Sequence, residues 1–295
     1  MRAFVTGGHG FVGTWLRAHL EAEGDEVVAP SAEVDVTDDE VLRAAMADAD
    51  PDVVYHLAGL AHVGRSWQEP GEFLRVNAAG TLSVLEAARR CATVPRVLVV
   101  SSAEVYGRVT AADMPIGEVL PMAPVSPYAA SKAAAELVAV QAYLGHGVPV
   151  IRARPFNHVG PGQSPTFVVS GMAERMLAAK RGGRTELAVG NLSPQRDMTD
   201  VRDIVRAYRL LADGGQPGEA YNVCSGRSVA IADIVEQLLV LADADLVLRV
   251  DPALVRSVDV PLMVGCPDKL HAATGWEPTI PLRVTLSDVV ASLQV

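Results

Sequence analysis

The sequence predicts an α/β fold: a doubly wound parallel sheet joined to a smaller C-terminal α/β domain. Three observations predict it. First, the chain opens on strand, glycine turn and helix. Ala3-Phe4-Val5-Thr6 runs into Gly7-Gly8-His9-Gly10-Phe11-Val12-Gly13, and Trp15, Leu16, His19 and Leu20 follow at helical spacing. Second, short apolar runs at residues 26–29, 51–59, 96–100 and 148–153 alternate with helical patterns, as parallel sheets require. Third, Arg154-Pro155-Phe156-Asn157-His158-Val159-Gly160-Pro161-Gly162-Gln163 is dense in Pro and Gly, which marks the point where the chain leaves the sheet.

Composition bounds the function. The 295 residues are 49% hydrophobic and 20% charged, enough for a sizeable core and one or two domains. Net charge is −10 and no dense basic patch is present, which argues against nucleic acid as a partner. Cys91, Cys224 and Cys266 have neither paired nor metal-type spacing, so a reducing, cytoplasmic setting and no metal are expected. No signal-peptide pattern and no bilayer-length apolar run are seen, so no membrane partner is expected.

The glycine turn points to a dinucleotide. Gly7 or Gly8 permits the tight turn, Gly10 lets a pyrophosphate approach the backbone, and Gly13 lets helix pack against strand. After the second strand an acid would hold a ribose 2′-hydroxyl and an arginine a 2′-phosphate. Pro30-Ser31 is neither, so NAD and NADP stay open. Asp35-Val36 flanks an adenine, or Asp35 serves as an N-terminal acid for the helix opening at Thr37-Asp38-Asp39-Glu40. Residues 51–59 read as a buried strand ending in Leu57-Ala58-Gly59, small enough to leave room for a cofactor. His56 is expected to be a satisfied core histidine. Asn77 lies in VNAAGT, ahead of a helix over residues 82–90. The strand at 96–100 delivers Ser102 and Glu104 to the carboxyl edge of the sheet, where chemistry sits in such folds. A turn hydroxyl and a solvated loop acid are the plainer readings of that pair.

Ser126-Pro127-Tyr128-Ala129-Ala130-Ser131-Lys132 is the candidate reacting centre. Ser126 suits an N-cap, Pro127 a first helical position, and Tyr128 and Lys132 share one face at i, i+4. A phenol has a pKa of about 10, and a nearby ammonium favours its ionised form, making the pair an acid–base device. YxxxK alone is common, and a surface pair at this spacing is the alternative.

The second half carries a helical pattern over 167–180, then Val189 and Arg196 in extended stretches, and a helix from Val201 through Leu211. Residues 220–223 are expected to rejoin the first sheet, residues 228–241 to form a capped helix, and 282–293 a last one. Residues 252–267 read as irregular. Two arginines on loops, Arg196 and Arg256, suit a diphosphate, which guanidinium binds bidentately, although ion pairs with Asp197 or Asp259 are the alternative. The expected division is 1–153, completed by about 197–223, as the dinucleotide-binding domain, with 154–196 and 224–295 as the second domain.

Glycine turn, strand-end Ser102, Tyr128 with Lys132, and Asn77 in VNxxGT together resemble the extended short-chain dehydrogenase/reductase family, over the whole chain. RPFNHVGPGQ, VGNLSPQRDMTDVRDIV, YNVCSG and RSVDVP are most similar to its GDP-4-keto-6-deoxy-mannose reductases. The resemblance implies a Rossmann domain with NAD(P)H contacts at Gly7, Gly10, Phe11, Val12, Asp35, Val36, Leu57, Ala58, Asn77, Tyr128, Lys132 and Pro155. It implies a nucleotide-diphospho-sugar substrate, GDP-linked, with Asn157 and Arg256 on the diphosphate, Arg196 along the phosphates or sugar, and Val189 lining the base. It implies that Ser102 and Tyr128 meet the reacting carbonyl or hydroxyl and that Lys132 binds the nicotinamide ribose and lowers the pKa of Tyr128. Related dehydratases place an acid or Ser between the Ser/Thr and the catalytic Glu. Here that position is Ala103, while Glu104 remains. The expected activity is therefore reduction of the C4 ketone of a nucleotide-diphospho-4-keto-6-deoxyhexose, with GDP-rhamnose as the model product. A 4,6-dehydratase or 4-epimerase of the same family is the alternative, and a non-catalytic nucleotide sensor is the rival from another class. A homodimer is expected through Ala-rich helix faces at Ala87, Ala88, Ala129, Ala130, Ala133, Ala134 and Ala135.

Overall fold

Strands with apolar side chains on both faces need cover on both faces. The central strands here carry Ala3, Val5, Tyr55, Leu98 and Ile151 toward one core and Phe4, Val54, Val97, Val99 and Val150 toward another. The computed structural model describes residues 1–31, 34–254 and 260–294. In chain order its strands are β1 (Arg2–Thr6), β2 (Glu26–Val28), β3 (Val53–His56), β4 (Arg96–Val100), β5 (Val150–Pro155), β6 (Asn157–Val159), β7 (Glu186–Val189), β8 (Gln195–Asp200), β9 (Ala220–Val223), β10 (Ser228–Ala230), β11 (Val247–Val250) and β12 (Leu262–Met263). Its helices are α1 (Phe11–Ala22), α2 (Asp39–Ala49), α3 (Val63–Ser66), α4 (Pro70–Phe73), α5 (Gly80–Arg89), α6 (Pro127–His146), α7 (Val168–Arg181), α8 (Val201–Gly214), α9 (Ile231–Leu241), α10 (Asp268–Thr274) and α11 (Leu282–Ser292).

Six parallel strands form the main sheet in the order β2-β1-β3-β4-β5-β9. The direction of winding reverses between β1 and β3, so a crevice opens beyond their carboxyl ends, where ligands of such sheets bind. α1 and α8 cover one face through Leu16, Leu20, Ile204, Tyr208 and Leu211. α2, α5 and α6 cover the other through Leu42, Met46, Val84, Leu85, Ala139 and Ala142. Strand β9 rejoins this sheet beside β5, with Tyr221 opposite Ala153, as the sequence predicts. A separate core gathers Val169, Met172 and Met176 of α7, Ile234 and Leu238 of α9, and Leu286 and Val290 of α11. It lies against a small sheet centred on β8, which pairs with β10, β12 and β6.

Two expectations are corrected. Ser228 does not cap a helix: residues 228–230 extend as β10, antiparallel to β8, and α9 starts at Ile231. Edge pairing with β8 wins over local helix propensity there. Of the alanines expected on an association face, Ala87, Ala88, Ala129, Ala133 and Ala135 are buried inside the chain's own cores and flanks. Only Ala130 and Ala134 face outward, on a stripe with Leu137 and Leu144.

A charged knot fastens α6 to the sheet. Glu136 is wholly buried and accepts from Ser101 Oγ at 2.6 Å, from Arg154 Nε and Nη2 at 2.8 and 2.7 Å, and from Arg152 Nη1 at 3.2 Å. Arg154 also donates to Tyr106 Oη at 3.0 Å, which in turn donates to Asn222 Oδ1 at 2.7 Å. Removing one partner from a buried pair strands the other charge, so Glu136→Gln is expected to cost about 3–5 kcal/mol of folding stability. Urea unfolding measures this; a loss below about 1 kcal/mol would contradict the account.

Candidate active site

Local rules place the tyrosine. Ser126 Oγ accepts from Ala129 N at 3.1 Å and Pro127 occupies the first turn, so α6 begins where the sequence predicts. Tyr128 and Lys132 follow on the helix face turned to the sheet, each only 8% exposed. Strand β4 delivers Ser102, also 8% exposed, whose Oγ accepts from Glu104 N at 3.2 Å and caps a 3₁₀ turn over Ala103–Tyr106. Ser102 and Glu104 both stand close enough to act on the Tyr128 phenol, the first through its hydroxyl and the second through its charge. Ala103, the intervening residue, is buried with Val105, Tyr106 and Ile116.

The electrostatics differ from the sequence expectation. Burial pushes the Tyr128 phenol up to about 12; the Ser102 hydroxyl pulls it down, and the Glu104 charge raises it further. Lys132 does not depress it here. The ammonium donates to Val100 O at 2.9 Å, and burial lowers its own pKa to about 8 against the pull of Glu136. Tyr128 is thus fully protonated at neutral pH, the form a proton donor needs. Phe73 meets its ring edge-on, 6.3 Å between centroids.

The dinucleotide cradle is built around close backbone contacts. Gly7 has φ +70°, and a Cβ there would sit 2.7 Å from Ala58 N. A Cβ on Gly13 would lie 2.1 Å from Gly7 O, while one on Gly10 would meet nothing closer than 3.3 Å. The turn therefore presses on α1 and on the end of β3, and stays open at Gly10, so it fits a pyrophosphate at the helix N-terminus. Leu57 and Ala58 line the neighbouring strand end, half-buried, with Val12 on α1. Phe11 stacks on His158, with centroids 6.3 Å apart and planes within 4°.

Asn77 lies in a π-helical turn over Leu74–Ala79, a distortion common at functional positions. It bridges two elements: Oδ1 accepts from Leu60 N at 2.8 Å, and Nδ2 donates to Leu60 O at 3.0 Å and to Ser131 Oγ at 2.8 Å. Two residues that sequence reasoning passed over complete this joint. Ser131 relays Asn77 to Tyr128 O at 2.7 Å, and a Cβ on Gly59 would stand 2.8 Å from Asn77 Oδ1 and 3.4 Å from Lys132 Nζ. Their only signal was position: Ser131 inside the YxxxK stretch, Gly59 at the strand's small-residue end.

The remaining expectations divide. His56 is a satisfied core histidine, between Thr6 Oγ1 at 2.8 Å and Thr81 Oγ1 at 3.0 Å, with burial forcing its pKa down to about 3. Asp35 accepts from Thr37 N and Oγ1, both at 2.9 Å, and pairs with Arg75 at 3.1 Å, which hold its carboxyl below the usual range. It is not the N-cap of α2; Asp38 is. Val36 is buried beside Gly80. Pro155 ends β5, buried, and Asn157 opens β6, exposed, opposite Met198. Arg196 donates to Gln195 O at 2.9 Å and Val260 O at 2.6 Å. Asp197 does not pair with it: its carboxylate accepts from Ser225 N and Oγ and Gly226 N. Val189 has no exposed surface and belongs to the core under α7, so it supports the floor there and does not line a base. Arg256 lies outside the described residues.

Known proteins resemble this chain in sequence and fold. The profile of the GDP-mannose 4,6 dehydratase family matches residues 29–289. The chain is 36% identical over 293 residues to GDP-6-deoxy-D-mannose reductase of Pseudomonas aeruginosa, covering 98% of this chain and 96% of that protein. It is 28% identical over 288 residues to GDP-mannose 4,6-dehydratase of Vibrio cholerae, covering 88% and 77%. Among solved structures, RMD from Pseudomonas aeruginosa complexed with NADPH matches at a TM-score of 0.93 and 34% identity, covering 100% of this chain and 99% of that one. UDP-glucose 4-epimerase of Thermus thermophilus in complex with NAD matches at 0.89 and 29% identity, covering 100% and 99%.

The lysine offers a pH test on the ligand-free protein. Folding lowers its pKa from 10.5 to about 8, so the unfolded chain holds more protons between those values, and stability rises with pH across that window. Lysine-selective NMR, assigned with Lys132→Met, is expected to show one side chain titrating near 8; titration of all lysines near the ordinary value would refute the burial argument.

Proposed function

Because the chain belongs to the GDP-mannose 4,6-dehydratase family of extended short-chain dehydrogenase/reductases, we propose that it reduces the C4 ketone of GDP-4-keto-6-deoxy-D-mannose to give GDP-D-rhamnose. The observation that carries this reading is the meeting of Ser102, Tyr128 and Lys132 at the carboxyl edge of β4, with buried Ala103 where an elimination site would need a further acid or hydroxyl. A nicotinamide cofactor, when bound, supplies the hydride. Tyr128 gives its proton to the carbonyl oxygen, and Ser102 polarises that oxygen by hydrogen bonding. Lys132 holds a positive charge beside Gly59 and the Asn77 joint, where it binds the nicotinamide ribose. Gly7, Gly10, Phe11, Val12, Leu57, Ala58 and Pro155 would hold the rest of the dinucleotide. Asn157, Arg196 and Arg256 are assigned to the diphosphate and sugar. Residues 1–153 with 197–223 serve the cofactor, and 154–196 with 224–295 serve the nucleotide-sugar.

No helix among the described residues is long and apolar enough to cross a membrane. The three cysteines are free thiols, in keeping with a cytoplasmic setting. We assign a homodimer to the exposed stripe Ala130, Ala134, Leu137 and Leu144 of α6 with Leu82 of α5, where Leu137 and Leu144 are 62% and 75% exposed. Light scattering at micromolar concentration is expected to give twice the chain mass, and Leu137→Glu half of that; a monomeric wild type removes the assignment.

Tyr128→Phe keeps the ring and removes the proton. It is expected to lower the rate of NAD(P)H oxidation with GDP-4-keto-6-deoxymannose about 10²–10⁴-fold while calorimetry shows both ligands still bound. Unchanged turnover would remove the tyrosine from the mechanism, and no turnover in the wild type would favour a sensor. The wild type is expected not to dehydrate GDP-mannose; dehydration that disappears in Glu104→Gln would make this a 4,6-dehydratase instead.

A further inference from the structure

Arg17 lies two turns into α1, and its surroundings set it apart from the arginines nearby. Arg202, Arg206 and Arg209, on α8 packed against α1, all pair with carboxylates: Asp200 and Asp288, Asp203, and Asp25. Arg17 has neither a hydrogen bond nor an ion pair among the described residues, and its Nε is buried with no partner. A buried donor left unpaired is costly, and such a group in a native fold calls for an explanation such as a missing ligand.

Its place gives the class of ligand. A Cβ built on Gly8 would lie 3.1 Å from Arg17 Cδ and 2.8 Å from Ala29 Cβ. The side chain therefore packs against Gly8 of the glycine turn, which the residue that follows β2 also meets. In doubly wound sheets the adenosine ribose is read beyond the second strand, where a nearby arginine accommodates a 2′-phosphate. No acid occupies the three residues after β2, which are Ala29, Pro30 and Ser31. A pyrophosphate is met nearer the helix N-terminus, at Gly10, so it leaves Arg17 unused.

Resting on the reading of this crevice as a nicotinamide-dinucleotide site, we propose that Arg17 binds the adenosine 2′-phosphate and makes NADPH the cofactor. Guanidinium meets phosphate through parallel charge-assisted hydrogen bonds, and the Nε–H now without an acceptor would gain one. Glu33 is the rival within the sequence: it follows Ser31 by two positions, lies outside the described residues, and its charge would favour a 2′-hydroxyl.

Calorimetry with adenosine 2′,5′-bisphosphate and with 5′-AMP tests this without turnover. The wild type is expected to bind the bisphosphate about 10- to 100-fold more tightly, the worth of a charge-assisted contact. Arg17→Gln should erase that advantage and leave 5′-AMP and NADH affinity unchanged, and Arg17→Lys should keep part of it. Equal affinities in the wild type, tighter NADH than NADPH, or an advantage that survives in Arg17→Gln would overturn the assignment. Loss of 5′-AMP binding in Arg17→Gln would overturn it too, since Arg17 would then be bracing the glycine turn. If the wild type binds neither nucleotide, the dinucleotide reading itself fails, and that result is distinct from all the others.

Discussion

The buried carboxylate of Glu136 is the constraint on which the active-site geometry depends. It sits one turn beyond Lys132 on α6 and takes hydrogen bonds from Ser101 on the exit of β4 and from Arg152 and Arg154 on β5. Three elements are thereby locked at one point, within one residue of Ser102 and one helical turn of Lys132. A buried ion pair is a weak source of net stability, since desolvation offsets much of the attraction. Its value here is positional. The knot fixes how α6 lies against the strand ends, and so fixes where Tyr128 stands relative to Ser102.

A second set of joints works by exclusion of side-chain atoms. Gly7 presses on Ala58, Gly13 on Gly7, and Gly59 on Asn77. Each contact brings backbone to backbone, or backbone to a polar tip, at a distance that any Cβ would forbid. The first two shape the cradle for a pyrophosphate. The third couples that cradle to the acid–base pair, because Asn77 also reaches Ser131 and through it the carbonyl of Tyr128. Binding and chemistry thus share one rigid frame along the carboxyl edge of the main sheet.

Burial sets the proton inventory of the site. The same desolvation raises the phenol of Tyr128 and lowers the ammonium of Lys132, because each neutral form is favoured away from water. The phenol therefore starts protonated, and the lysine sits near its midpoint just above neutral pH. A charge brought into this crevice would act strongly on both groups, since little solvent lies between them.

Much of this was legible in the chain because it is local. The strand–glycine–helix opening, the Ser126 cap, the i, i+4 spacing of Tyr128 and Lys132, and the doubly apolar strands are each decided by residues a few positions apart. Even the return of residues 220–223 to the main sheet followed from a short apolar run. The failures were long-range. Ser228 left its helix for an edge of β8, and Val189 vanished into a core formed by α7, α9 and α11. Ser131 and Gly59 gained their roles only when Asn77 was brought between them from a distant turn. The pKa of Tyr128 likewise turned upward where spacing alone suggested downward, because spacing records a neighbour's charge and not the water that folding removes. Which elements form, and which residues reach the sheet's edge, is written along the chain, since backbone propensity and apolar period act over single turns. Which of those residues meet across that edge, and how dry their meeting is, came from packing alone, since burial and contact belong to the folded chain as a whole.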